Sequence, residues 1–257
     1  METNPEPGRI AFGIMCKAPI NGASKTRLCP PLTPAEAAQL SRCFIADVAA
    51  ALDSVPAEVG GCGIAVYTPA GEESAFDGLL PQRFGMLLQR GADLGERLQG
   101  ATEDLLAAGF AGVCLINSDS PTLPAALFER TVTALRVPGD RLVLGPAIDG
   151  GYYLIGLKHP HQPLFDGIAW STNQVLTQTL ARAAALRLPV AVLPTWYDVD
   201  DVGTLQLLLH ELFGHGVALA ADGLYGSPAV NSRVYLQSLL LQDDRARRRF
   251  AGFAGAP

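Results

Sequence analysis

The sequence predicts an α/β fold, a mostly parallel sheet covered by helices on both faces. Short apolar runs alternate with longer segments of helical period along most of the chain, which is the pattern of βαβ units. Several apolar runs stop abruptly at polar or proline-bearing loops, as buried strands do. Capping boxes of the form S/T-x-x-E/Q open two of the helical segments.

Ile10–Cys16 is an apolar run ended by Lys17-Ala18-Pro19, hence a first, buried strand. Thr33-Pro34-Ala35-Glu36 is a capping box with proline at the first helical position, opening a helix to about Ser54. "CGIAVYT" and "FGMLLQ" read as the second and third strands, followed by a helix from Leu94 to Ala108 stopped by Gly109. "GVCLIN" is the fourth strand, and a helix from Pro124 to Arg136 follows it. "RLVLGPA" and "GYYLIGL" are the fifth and sixth strands. Ser171-Thr172-Asn173-Gln174 is the second capping box, starting a helix to about Leu188. "VAVLP" is the seventh strand, and "DVGTLQLLLHELF" is helical. The alternation then breaks at a Gly-rich loop, with one more helix from about Val230. This divides the chain into a domain over 9–213 and a helical appendage over 214–257. The apolar face of "VYLQSLLLQDDRARRRF" packs either on a second subunit, making a homo-oligomer, or on the chain's own core. The arginine-rich run Arg245–Arg249 reads as a solvated helix end.

A net charge of −6 argues against nucleic acid as a partner, because phosphate contacts need a basic face. The five cysteines are odd in number and form no C-x-x-C, so neither a disulfide framework nor a zinc site is expected. No apolar stretch suits a signal peptide or a membrane span, which makes the cytoplasm the expected location.

In open α/β sheets ligands bind beyond the carboxyl ends of strands. That rule selects the polar residues just after the strands. "KAPINGASKTRLCPPL" after the first strand carries Lys17, Lys25, Thr26 and Arg27, with Pro19 and Gly22 shaping the turn. It is not a Walker A loop, since Gly22 is misplaced and no glycine precedes Lys25. Two point charges and an arginine fork still suit phosphate oxygens. These cations are expected to act on a ligand rather than as structural partners. Asp119 follows the fourth strand in "NSDSP", and Asp198, Asp200 and Asp201 follow the seventh in "YDVDD". Hard carboxylate oxygens of this kind hold Mg²⁺ or Mn²⁺ shared with a diphosphate, although helix capping is an alternative, above all for Asp201. Alternation puts Asp198 and Asp200 on one face. Asp149 precedes Gly150-Gly151, either as a turn or as a close backbone approach to substrate. "RGADLGERLQ" offers Asp93, Gly95 and Arg97 at a helix start. There is no G-x-S-x-G, H-E-x-x-H or G-x-G-x-x-G. Cations after one strand and carboxylates after two others fit a metal–diphosphate transferase.

These segments, with "LFDGIAWSTNQVL", resemble the bacterial GT-A-like radical-SAM/selenodomain-associated transferases from about Ile10 to Leu209. That family is similar in fold to nucleotide-diphospho-sugar transferases and to the guanylyltransferases that activate phospholactate or molybdopterin. The resemblance implies a single GT-A-like α/β/α sandwich with a C-terminal helical extension. It also implies nucleotide and phosphate contacts by Lys17, Lys25 and Arg27, and metal at Asp119 and Asp200. Acceptor or sugar contacts would lie at Asp149, Gly150 and Gly151, and nucleobase contacts near Gly95. "DVDDVGTL" departs from the family's D-V-D-T-P-x-D-L, which weakens the assignment of Asp200. Three functions follow. One is a metal-dependent glycosyltransferase using a nucleotide sugar and a small-molecule acceptor. The second is a nucleotidylyltransferase joining an NTP to a small phosphorylated acceptor, and the third a non-catalytic nucleotide-binding protein.

Overall fold

The seven apolar runs become seven strands in the computed structural model, which describes residues 8–214, 223–242 and 244–250. They are β1 (Ile10–Lys17), β2 (Gly61–Thr68), β3 (Gly85–Leu88), β4 (Gly112–Asn117), β5 (Leu142–Pro146), β6 (Tyr152–Leu157) and β7 (Val190–Val192). One sheet joins them in the order β3-β2-β1-β4-β6-β5-β7, with β6 antiparallel to both its neighbours and the other pairings parallel.

Period-2 alternation sends β1 side chains to two different cores. Ile10, Phe12 and Ile14 point to one face, where they meet Phe44 of α1 (Pro34–Asp53), Phe128 of α3 (Ala125–Arg136) and Leu208 of α5 (Val202–Phe213). Ala11 points to the other, towards Leu98 and Leu105 of α2 (Leu94–Ala107) and Ala183 of α4 (Val175–Ala185). Helices therefore cover both faces, as the sequence predicts.

Local chemistry fixes most helix starts. The Thr33–Glu36 capping box forms, with Thr33 Oγ1 accepting from Glu36 N and Glu36 Oε2 from Thr33 N. Asp93 caps α2, and Asp201 caps α5 through Thr204 N at 2.8 Å. The box expected at Ser171–Gln174 does not form. Gln174 is the N-cap of α4 without a side-chain bond, and Thr172 instead makes a local turn to Ala169 O and Gln174 N. Ser171 adopts a left-handed φ of 62°, which takes it out of any capping role. The helix also stops at Ala185, earlier than its apolar pattern suggests.

The segment after Gly223 packs on the chain's own core. Helix α6 (Val230–Gln242) lies on α1, and its Leu236 and Leu240 are buried with Phe250, just after α7 (Asp244–Arg249). A buried carboxylate holds the start of α6. Asp47 on α1 accepts from Asn231 N, Asn231 Nδ2, Ser232 N and Ser232 Oγ at 2.6–2.9 Å, so it satisfies orphan donors of the helix terminus. The arginine run is only partly solvated. Arg249 donates to Glu36 and to Pro31 O, tying α7 to the first turn of α1 and the loop before it. Among the described residues no helix is long and apolar enough to cross a membrane.

Candidate active site

In this strand order, β1 has its sequence neighbour β2 on one side and β4 on the other. The chain's direction of travel across the sheet reverses there, and a crevice opens beyond the carboxyl ends of the two strands. Two loops and one returning segment fill its rim.

The loop after β1 folds back on itself through Ser24, whose hydroxyl accepts from Ile20 N and donates to Ala18 O. Leu28, fully buried at the end of the single turn Thr26–Leu28, anchors it to the core. Lys25 lies between these anchors with φ 50° and ψ 39°, a left-handed conformation unfavourable for a residue with a long side chain. Its ammonium compensates. Lys25 Nζ is 2.8 Å from Asp119 Oδ1, 2.7 Å from Asp200 Oδ1 and 2.8 Å from Val199 O, beside the Phe44 ring. Burial would lower the affinity of this amine for its proton, but Asp119 and Asp200 outweigh it and raise the pKa. The side chain is 8% exposed, against 74% for Arg27, whose Nη2 reaches Asp200 Oδ2 at 3.0 Å. Lys25 is thus a structural partner as well as a cation, contrary to the sequence expectation. Arg27 remains largely free. Lys17 Nζ reaches Ala23 O at 3.2 Å from an exposed position.

The carboxylates come from β4 and from the segment after β7. Asp119 stands two residues past the end of β4, its carbonyl accepting from Val199 N at 2.8 Å. Trp196 is buried beside β5, with its N–H on Pro146 O, so the chain crosses back towards β4 over the crevice. Thr204 Oγ1 then receives both Asp200 N and Asp201 N, which fixes Asp200 at the start of α5. Asp201 turns to its capping bond with Thr204 N, whereas Asp200 meets Lys25 and Arg27.

Asp198 belongs to the same group. Burial first, then the charges of Asp149, Asp200 and Asp119, push its carboxyl up to about 7. Alternation with Asp200 was the signal for it, and "YDVDD" alone could not say that the charge of Asp149 would reach it.

A cleft of about 370 Å³ is lined by Lys17, Lys25, Thr26, Arg27, Asp119 and Asp200 together. It also takes in Arg97 and Gln89, the second of which carried no sequence signal. Gln89 is locked there by its side-chain N–H donors to Val66 O and Cys16 O.

The remaining predicted residues lie outside this lining. Pro19 and Gly22 shape the loop, Gly22 with φ 77° and open space around it. Gly95 is a packing glycine. A Cβ there would sit 2.9 Å from Trp170 Nε1 and 3.1 Å from Phe165 O, and the residue lines a separate cleft with Gln162 and Asp166. Gly150, with φ 90°, makes a close backbone approach, but to Asn173 rather than towards the cleft: a Cβ would meet Asn173 O at 2.4 Å. Gly151 N donates to Asp149 Oδ1 at 2.8 Å, completing the turn that aims Asp149.

Asp119 and Asp200 offer the hard oxygen donors that a divalent cation takes together with phosphate oxygens. As positioned, no three of the described His, Cys, Asp or Glu side chains are grouped to hold an ion, and the Lys25 ammonium bridges Asp119 and Asp200 instead.

Residues 50–172 match the family described as an uncharacterized protein conserved in bacteria (DUF2064). Among solved structures, a proposed nucleotide-diphospho-sugar transferase from Desulfovibrio desulfuricans G20 aligns over 94% of this chain and 98% of its own. Its identity is 28% and the TM-score 0.77. CMP:2-keto-3-deoxy-manno-octonic acid synthetase, solved with CTP, aligns over 78% of this chain and 97% of its own at 11% identity and TM-score 0.51. A cytidylyltransferase from Leptospira borgpetersenii aligns over 90% and 94% at 8% identity and TM-score 0.51. At those identities the last two likenesses are of fold. No curated protein matches the chain in sequence. The sandwich of nucleotide-diphospho-sugar transferases, read from the motifs as a resemblance, is the fold of this chain.

Proposed function

We propose that the protein is a metal-dependent glycosyltransferase that takes a sugar from a nucleotide diphosphate and passes it to a small-molecule acceptor. One observation carries this reading: Lys25 and Arg27 converge with Asp119 and Asp200 in a single cleft at the topological switch point. The likeness to the Desulfovibrio protein supports it over nearly the whole chain.

Breaking the bond between sugar and diphosphate leaves growing negative charge on the departing phosphate oxygen. Arg27, exposed and paired on one side only, offers the remaining edge of its fork to that phosphate. Lys17 and Arg97 add charge along the same wall. Asp119 and Asp200 would hold Mg²⁺ or Mn²⁺, which supplies Lewis-acid neutralisation of the diphosphate when bound. Asp149, presented by the turn at Gly150-Gly151, would orient the acceptor hydroxyl.

A second reading has its own support. Four cations line the cleft, Lys17, Lys25, Arg27 and Arg97, more than a diphosphate requires, and they would suit the triphosphate of a nucleotidylyltransferase that releases pyrophosphate. The test is a panel assay with Mg²⁺ and Mn²⁺. Release of nucleoside diphosphate from nucleotide sugars supports glycosyl transfer, and pyrophosphate release from NTPs with phosphorylated acceptors supports the second reading. Nucleotide binding with neither product would leave only a binding protein.

A further inference from the structure

An ammonium has three N–H donors, and in Lys25 all three have protein acceptors: Asp119 Oδ1, Asp200 Oδ1 and Val199 O, at 2.7–2.8 Å. Nothing remains to donate to a phosphate. One oxygen of each carboxylate is spent on the amine, and Arg27 takes the second oxygen of Asp200. Lys25 therefore cannot serve a diphosphate while it holds the aspartates, and a divalent ion approaching the aspartates meets the repulsion of its charge.

We propose that Lys25 is an internal cation that couples the binding of metal and nucleotide: a divalent ion displaces its ammonium from Asp119 and Asp200, and the freed ammonium is handed to the diphosphate. This rests on the metal–diphosphate reading of the cleft. The contrast with Arg27 supports it. Two residues apart on one loop, one cation is 8% exposed and saturated by protein, the other 74% exposed with a single partner. The backbone around Lys25 is suited to the change. Its left-handed φ of 50° lies between the Ser24 and Leu28 anchors, at the cap of a turn of only three residues, so the side chain can leave without unwinding a helix. Metal alone must compete with an ion pair, and diphosphate alone must extract the amine from it. Either ligand removes the obstacle to the other, and by linkage the two enhancements are equal.

The experiment measures Mn²⁺ binding by the loss of its free electron paramagnetic resonance signal, with and without a panel of nucleoside diphosphates. In the wild type, a diphosphate that binds should tighten Mn²⁺ at least about tenfold. Lys25→Met should bind Mn²⁺ alone about tenfold more tightly than the wild type, and the enhancement by diphosphate should shrink towards none. Equal or weaker Mn²⁺ binding by Lys25→Met would overturn the coupling while leaving the metal site in place. Failure of the wild type, with diphosphate present, to bind Mn²⁺ in an Asp119-dependent way, tested with Asp119→Asn, would overturn the metal reading itself. A measurement on the unaltered protein covers a Lys25→Met that does not fold. The lysines Lys17, Lys25 and Lys158 are easily resolved by mass spectrometry after brief acetylation. Mn²⁺ should raise labelling of Lys25 several-fold and leave Lys158 unchanged. Unchanged Lys25 labelling with Mn²⁺ bound would sink the proposal.

Discussion

Lys25 Nζ and Asp200 Oδ1 meet at 2.7 Å across 175 positions of chain. The contact ties the loop after β1 to the segment that returns from β7, the two ends of the sheet's winding. It lies between the limits of exposed pairs, worth about 0–1 kcal/mol, and buried pairs, whose disruption costs about 3–5 kcal/mol. Lys25→Met should accordingly lower the free energy of unfolding by on the order of 2 kcal/mol, measured by urea titration. An unchanged midpoint would mean that the amine is not held as the structure shows.

Arg27 gives the opposite expectation. Arg27→Ala should barely move the unfolding midpoint, because its one ion pair is exposed to water. Nucleotide affinity should fall about ten- to hundredfold, the loss of one charge-assisted hydrogen bond of roughly 1.5–3 kcal/mol. Arg27→Lys should recover little, because a point charge does not replace a planar fork. Titration calorimetry with the nucleoside diphosphate panel reads both variants.

Asp47 tests the attachment of the C-terminal helices. Its carboxylate is 3% exposed and accepts from two backbone and two side-chain donors of Asn231 and Ser232. Asp47→Ala leaves those donors without a partner and should cost about 3 kcal/mol, since charge-assisted bonds are worth roughly 1.5–3 kcal/mol each and do not add. Limited proteolysis should release α6 and α7 ahead of the rest. Wild-type stability in that variant would show that apolar packing of Leu236 and Leu240 alone suffices.

Glu211 on α5 carries a pH dependence. Burial raises its carboxyl above the usual range, while hydrogen bonds with Tyr197 and Thr122 and the charge of Arg233 pull it partly back. With the folded pKa raised, the folded state binds the proton more tightly. The contribution is full below the unfolded pKa and is lost as pH rises through the folded one. Glu211→Gln keeps an acceptor for the Tyr197 hydroxyl and removes the charge. It should be more stable than the wild type near pH 8 and indistinguishable near pH 4, by thermal melts at both. A variant less stable at pH 8 would show that the charge is needed there.

The sequence by itself determined the strands, because apolar runs of strand length bounded by polar loops have few other ways to be buried. It determined the start of α1, where Thr33 and Glu36 satisfy each other's backbone within one turn. It also put Lys17, Lys25, Arg27, Asp119 and Asp200 at or after strand ends, which marks them as rim residues of whatever cleft the sheet forms. Only the tertiary structure decided what they meet. Capping separates Asp201 from Asp200 because Thr204 lies within reach of one helix start, a geometry that both neighbours share on paper. The box at Ser171–Gln174 failed because Ser171 turns left-handed and Gly150 draws the start of α4 in against its own backbone. Gly95 became a seat for Trp170, a contact across 75 residues that no local pattern encodes. Lys25 was legible as a cation but not as a buried one. Its charge is written in the residue, whereas its burial depends on two aspartates brought to it by strand order.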